Sequence, residues 1–225
     1  MLSASQDAFP MFRKYFNAKA KKLGKEKLAW WDIFAPVGKT DKVYSYEEAR
    51  DFILENFGKF SPELSAFARR AFENNWIDAP VRPGKAPAAF AHPTVPSAHP
   101  YVLLNYQGKP RDVMTLAHEL GHGVHQVLAA PNGPLMAPTP LTLAETASVF
   151  GEMLTFRKLL ANTKDKKQRK AMLAAKVEDM INTVVRQIAF YSFERKVHLE
   201  RRNGELTADK LNELWMSVQS ESLGP

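Results

Sequence analysis

Cysteine is absent from the sequence of 225 residues. Its absence excludes disulfide bonds, iron–sulfur clusters, zinc sites built from thiolates and a catalytic cysteine. A bound metal ion would therefore need histidine and carboxylate ligands.

Long apolar runs are also missing, because charged residues or prolines interrupt every hydrophobic stretch before the roughly 18 residues that a membrane helix requires. The N-terminus has no apolar segment followed by small residues, so we expect no secretory signal and a cytoplasmic location. A Lys-rich organellar presequence is an alternative for this segment, but Phe9, Phe12 and Phe16 have the spacing of a packed helical face, which favours a structural helix. With 45% hydrophobic and 24% charged residues, the composition is that of a folded globular protein.

Acidic residues are too few to balance the basic ones, and the formal net charge is +7. The basic residues concentrate in segments 1–30 and 157–170, each of which contains seven Lys or Arg. Neither segment matches a nucleic-acid-binding motif or alternates its cations with stacking aromatic residues. We therefore interpret both as solvated helix faces and turns, which disfavours a nucleic-acid partner, and we expect no membrane partner.

Helical periodicity dominates the sequence and predicts a mainly α-helical fold. Ser45 to Glu48 have the pattern of a capping box before a helix that runs toward Phe57, where Gly58 would adopt the left-handed C-terminal conformation. Ser61-Pro62 begins the next helix. Further helices are expected over residues 112–130, 141–160 and 167–202, followed by a last one that Thr207 caps.

The pattern changes between Trp76 and Gln107, a segment that is rich in proline and contains short runs typical of strands. A small β-sheet is predicted there. The extended stretch from Tyr101 to Tyr106 is either an edge strand that binds a substrate backbone or an ordinary core strand. His92 and His99 each precede a proline and are interpreted as turn residues without a chemical role.

His118, Glu119 and His122 form an H-E-x-x-H pattern on one of the predicted helices. Residues four apart lie on the same helical face, so both imidazoles can reach one ion about 2 Å from each nitrogen. Glu119 lies one residue further round and can reach a water held on that ion, which is the position of a general base. The opposite face is apolar and consists of Val113, Leu116, Ala117, Leu120, Val124, Val127 and Leu128.

A third protein ligand is required. His125 is a candidate, but the helix rises about 10 Å between His118 and His125, too far for three side chains of one straight helix to converge. The metzincin motif would need Gly at position 125 and His at position 128. The sequence has His125 and Leu128 at these positions, so that class is excluded. Glu145, near the start of the next predicted helix, is the better candidate, and two histidines with one carboxylate leave an open position for water. Glu152, two turns later, either supports a ligating histidine or forms a surface ion pair.

Over almost its whole length, the sequence resembles the oligoendopeptidase F group of the thimet oligopeptidase-like (M3) zinc metallopeptidases. The segments that carry the resemblance are the H-E-L-G-H-G-V-H helix, Leu28–Asp32, Ser61–Leu64, Pro100–Tyr106, Leu143–Ser148 and Arg186–Phe190. The resemblance implies a zincin-like catalytic region, mainly α, with a small sheet at about residues 76–107 beside the motif helix. It also implies one zinc ion per chain bound by His118, His122 and Glu145, with Glu119 as the catalytic base and oligopeptides as substrates.

Members of this family are much longer. We therefore interpret residues 1–225 as a single catalytic-region fragment without the family's N-terminal part and without its C-terminal segment, which supplies His and Tyr side chains that hold the substrate. Weak activity is expected from the fragment alone. Tyr191 and His198 lie on the predicted helix 167–202, and we interpret them as packing or surface residues rather than replacements.

The predicted function is zinc-dependent endopeptidase activity on short to medium peptides. Two other classes of function stay open at this point. One is an inactive zinc-binding module, and the other is a basic nucleic-acid-binding protein in which zinc is structural.

Overall fold

The computed structural model describes residues 2–33, 35–38 and 42–223, and most of them are helical. The helices are α1 (Leu2–Lys22), α2 (Tyr46–Phe60), α3 (Pro62–Glu73), α4 (Pro110–Ala129), α5 (Leu141–Asn162), α6 (Lys166–Glu200) and α7 (Ala208–Leu223). The strands are β1 (Ile77–Asp78), β2 (Phe90–His92) and β3 (Tyr101–Leu103). The prediction of a mainly α fold with a small sheet is confirmed.

The chain divides into two compact units. The central unit comprises residues 40–165 and contains α2 to α5 with the three strands. The terminal unit comprises residues 1–39 and 166–225 and contains α1, α6 and α7. The H-E-x-x-H motif and both candidate glutamates lie in the central unit.

The capping box predicted at the start of α2 is present. Ser45 Oγ accepts a hydrogen bond from the Glu48 backbone N–H at 3.0 Å, and the Glu48 carboxylate accepts one from the Ser45 N–H at 2.8 Å. Ser61 serves both neighbouring helices, because its N–H donates to the Phe57 carbonyl and its Oγ accepts from the Leu64 N–H. A single residue therefore closes α2 and opens α3.

The prediction that Gly58 ends α2 is wrong, since the helix continues to Phe60. Gly58 lies beside α3, where an added Cβ would be 3.5 Å from the Ser65 Cβ. This is ordinary van der Waals contact, so neither backbone conformation nor space requires glycine at this position.

The sheet has the order β1-β3-β2. Strand β3 is central, parallel to β1 and antiparallel to β2. The N–H groups of Val102 and Leu104 donate to the carbonyls of Trp76 and Asp78, so this side of β3 is already paired. Tyr101–Tyr106 therefore contains a core strand, and the edge-strand interpretation of this segment is wrong.

Helix α4 buries most of its predicted apolar face. Val113, Leu116, Ala117 and Leu120 are fully buried. Leu128 was expected on the same face but is 73% exposed. It lies in the last turn of α4, just before the 3₁₀ turn Ala130–Asn132 that ends the helix, and so projects beyond the core.

The terminal unit is held by a buried ion pair. Lys19 Nζ lies 2.7 Å from Glu178 Oε1, and the Lys19 side chain has no exposed surface. Tyr15 donates its hydroxyl proton to the other Glu178 oxygen at 2.9 Å, so both carboxylate oxygens are satisfied. Burial and the neighbouring Glu178 carboxylate raise the pKa of Tyr15 above its usual range.

Among the described helices, none combines the length and apolar character that crossing a bilayer would require.

Candidate metal centre

The H-E-x-x-H motif lies in the middle of α4 and places two histidines side by side. The rings of His118 and His122 have centroids 5.0 Å apart and are inclined by 82°. Both side chains are partly buried. This is the arrangement that a spacing of four residues predicts for two imidazoles on one helical face.

Helix α5 brings Glu145 to the same point. Glu145 Oε2 lies 3.2 Å from His118 Nε2 and 3.5 Å from His122 Nε2. The ligand atoms of the three residues all lie within 4.8 Å of one another. His125 is not a member of this group.

The Glu145 carboxylate is oriented from within its own helix. Ser148 Oγ donates to Glu145 Oε2 at 2.7 Å, and Ser148 is fully buried. Because the Glu145 side chain is about half exposed, this hydrogen bond is an important restraint on its rotamer. Sequence reasoning missed Ser148, although a serine three residues after a candidate helical ligand has the spacing to reach it.

Two glycines allow α4 and α5 to approach closely enough for this site. A Cβ at Gly121 would lie 2.6 Å from the Ala147 carbonyl oxygen, and one at Gly151 would lie 2.9 Å from the Ala117 carbonyl oxygen. No side chain fits at either position without moving a helix backbone. In the sequence, the close approach of the two helices is indicated by a glycine on each of them, a signal that the predictions from the sequence did not include.

Glu152 contacts the far side of His118. Its Oε2 lies 3.2 Å from His118 Nδ1, so this ring nitrogen can donate to the carboxylate while Nε2 is directed at Glu145. Burial lowers the pKa of His118, but the Glu152 hydrogen bond and the nearby carboxylate charges outweigh burial, and the net shift is upward. For His122, burial dominates and lowers the pKa, with Glu145 opposing the shift.

Glu119 is buried on the side of α4 that faces the sheet, with 5% of its surface exposed. Burial raises the pKa of Glu119 to about 7, and the Glu145 charge adds to the rise. The charge of His118 and a hydrogen bond from the Ala91 backbone N–H act in the opposite direction. Its carboxyl group therefore changes protonation state near neutral pH, which suits acid–base chemistry.

The remaining predicted residues are not members of the group formed by His118, His122 and Glu145. His92 Nδ1 accepts a hydrogen bond from the Thr94 N–H, and the His99 ring stacks on Trp76 at 4.0 Å. Tyr191 and His198 are exposed side chains of α6 in the terminal unit.

Comparison with known proteins places this chain in a family. The whole chain, residues 1–225, matches peptidase family M3. The oligoendopeptidase F homolog of Lactococcus lactis subsp. lactis is 31% identical over 223 residues, which are 98% of this chain and 37% of the relative. Oligopeptidase PepF of Bacillus subtilis is 29% identical over 218 residues, or 96% of this chain and 32% of the relative. The solved structure of PZ peptidase A with an inhibitor has the same fold, with a TM-score of 0.75 at 18% identity over 99% of this chain and 40% of that one.

A helix bearing H-E-x-x-H, faced by a glutamate of the following helix, is typical of metallopeptidases. The chain belongs to peptidase family M3, and the resemblance seen in the sequence is confirmed. It spans about a third of the length of the relatives it matches.

Proposed function

We propose that this chain carries the catalytic centre of a zinc-dependent oligopeptidase that hydrolyses peptide bonds of short to medium peptides. The observation that supports this most directly is the convergence of His118, His122 and Glu145 beside a buried Glu119. Relatives named oligoendopeptidase and oligopeptidase support the class of substrate.

The donor set fits zinc. Two imidazole nitrogens and one carboxylate oxygen are the ligands of many catalytic zinc sites, which keep a fourth position open. Bonds of about 2.0–2.1 Å in tetrahedral geometry put neighbouring ligand atoms about 3.3 Å apart. The separations of 3.2 and 3.5 Å between Glu145 Oε2 and the two Nε2 atoms agree with that value.

When bound, zinc would lower the pKa of a coordinated water and polarise a substrate carbonyl. The protein's own residues have complementary tasks. Glu119 takes a proton from the attacking water and returns it to the leaving amine, and its burial excludes competing solvent. Glu152 fixes the ring of His118, and Ser148 fixes the carboxylate of Glu145.

The outer edge of β2 is the place where this fold can present backbone groups to a peptide. Ala91 is opposite Val102 in the antiparallel pair, and the Val102 N–H is turned toward β1. The two residues are therefore a pair without mutual hydrogen bonds, and the N–H and carbonyl of Ala91 point away from β3. They point toward α4, where the carbonyl accepts a hydrogen bond from Gln126 and the N–H lies beside Glu119, so the N–H is the group that a substrate carbonyl can use. We propose that an extended substrate lies along this edge.

Glu119→Gln provides the test, because it keeps the shape of the side chain but removes the proton acceptor. Cleavage of a quenched fluorescent peptide should fall by about 10²–10⁴-fold, the usual contribution of a general base. Bound zinc, measured by elemental analysis on the same samples, should be unchanged. Glu47→Gln, at an exposed site on α2, is the matched control and should retain wild-type cleavage. Stoichiometric zinc without cleavage in the wild-type chain would instead support an inactive zinc-binding module.

A further inference from the structure

Gln126 lies on the face of α4 that carries the metal centre. It follows His122 by four residues and His118 by eight, so the three side chains form one row along the helix. Neither the H-E-x-x-H pattern nor the proton transfer by Glu119 involves the Gln126 side chain.

The Gln126 amide is bonded to the outer edge of β2. Its Nε2 donates to the Ala91 carbonyl at 3.1 Å. The N–H of the same residue lies beside the Glu119 carboxylate. The Ala91 carbonyl is therefore held by a side chain of α4 one turn beyond His122, whereas the Ala91 N–H is directed at the general base.

The orientation of the Gln126 amide follows from chemistry. A carbonyl oxygen only accepts hydrogen bonds, so the NH₂ group of Gln126 must face Ala91. Gln126 Oε1 is then buried, and it accepts no hydrogen bond from the part of the chain that the structure describes. An apolar side chain would fill the same space without burying this oxygen, so packing alone does not explain glutamine at position 126.

We propose that Gln126 is a positioning residue that holds the Ala91 carbonyl and thereby fixes the outer edge of β2 beside Glu119, where a peptide backbone passes the metal centre. This inference rests on the proposed peptidase function. It extends that function by assigning the alignment of the peptide, rather than the metal or the proton transfer, to a residue outside the H-E-x-x-H motif.

Two substitutions remove the hydrogen bond in different ways. Gln126→Met keeps the length of the side chain and has no donor, and Gln126→Glu keeps the shape but presents a carboxylate to the Ala91 carbonyl. Gln187→Met and Gln187→Glu on α6 are matched controls, because Gln187 is exposed and belongs to the terminal unit.

Two zinc-directed probes separate alignment of the peptide from metal binding. Acetohydroxamate binds the metal alone, whereas a hydroxamate joined to a tripeptide must also bind along the outer edge of β2. Both Gln126 variants should bind the tripeptide hydroxamate about tenfold more weakly, because ordering the released strand edge on binding then costs about as much as one hydrogen bond, and they should bind acetohydroxamate and zinc as the wild type does. The Gln187 variants should bind both probes normally. Unchanged affinity for the tripeptide hydroxamate, or an equal loss for both probes, would overturn the proposal.

Amide hydrogen exchange gives a readout that does not depend on zinc or activity. In the metal-free protein, the Ala91 amide should exchange at least about tenfold faster in both Gln126 variants than in the wild type. Unchanged protection of Ala91 would refute the positioning role even if the protein proved to be a peptidase. A wild-type chain that binds neither zinc nor hydroxamate would refute the proposed function, and exchange at Ala91 would still decide whether Gln126 holds the strand.

Discussion

At the residue scale, the proposed ligand set is completed by a glutamate on a second helix rather than by the third histidine of the motif helix. Glu145 contributes a carboxylate oxygen within 3.5 Å of both imidazoles, and His125 lies outside the group. Glu145→Ala should therefore weaken zinc binding by at least about tenfold. His125→Ala should leave zinc binding unchanged. Competition titration against a chromophoric chelator measures both, and the reverse order of effects would make His125 the ligand.

Glu152 contacts a proposed metal ligand without belonging to the proposed ligand set. With its carboxylate on Nδ1 of His118, the ring is held with Nε2 directed toward Glu145. Removing such a contact usually costs about 10–100-fold in metal affinity, and we expect that loss for Glu152→Ala. Glu47→Ala, at an exposed site, serves as the control for loss of one carboxylate. Wild-type affinity in Glu152→Ala would show that His118 keeps its orientation without help.

The sequence allowed the residues of the candidate metal centre to be predicted, but not the groups that hold their side chains. Helical spacing alone places His118 and His122 on one face, and Glu145 follows from the need for a third ligand. The contact of Ala91 with Glu119 could not be predicted, because it joins residues from different elements and depends on how β2 lies against α4. Such contacts leave no periodicity in the sequence.

At the scale of the elements, the candidate metal centre depends on how closely α4 and α5 approach each other. Gly121→Ala would place a methyl group 2.6 Å from the Ala147 carbonyl oxygen. Separating the helices to relieve this clash should lower the free energy of unfolding by about 1–3 kcal/mol, the usual cost of overpacking. It should also weaken zinc binding, because α4 and α5 supply different ligands. Urea unfolding and zinc titration of the same variant measure the two effects.

Gly58→Ala is the matched control for that substitution. It replaces another helical glycine, but its new Cβ meets only ordinary contacts at 3.5 Å. The higher helix propensity of alanine should then raise the free energy of unfolding by up to about 1 kcal/mol. If both glycine substitutions destabilised the protein equally, close approach of α4 and α5 would not be the reason for Gly121.

The elements themselves were largely predictable, whereas their pairing was not. Capping residues such as Ser45 and Ser61 act within a few positions, so the starts of α2 and α3 could be read from the sequence. The order of the strands depends on long-range hydrogen bonds between two- and three-residue segments, which are too short to show alternation. This is why β3 could not be recognised as the central strand.

At the scale of the whole molecule, stability of the terminal unit depends on one buried charge pair. Lys19→Met would leave Glu178 as a buried carboxylate without its cation, and loss of one partner of such a pair typically costs about 3–5 kcal/mol. The double substitution Lys19→Met with Glu178→Leu removes both charges and should recover most of that loss. Urea unfolding, monitored by a probe in the terminal unit, measures the loss of stability in both variants. A double variant as unstable as the single one would show that the pair is needed for more than charge balance.

The same ion pair bears on the order in which the protein forms during synthesis. Residues 40–165 are contiguous, so every segment of the central unit is available before α6 has been made. The terminal unit is assembled from both ends of the sequence, and Lys19 precedes its partner Glu178 by 159 positions. On the ribosome, the helices of the candidate metal centre can therefore fold while α1 still lacks its partner helices. During that time Lys19, which is buried in the folded protein, remains exposed to water. A nascent chain stalled shortly after residue 165 has emerged should thus acquire the protease resistance of the central unit and leave α1 open to cleavage.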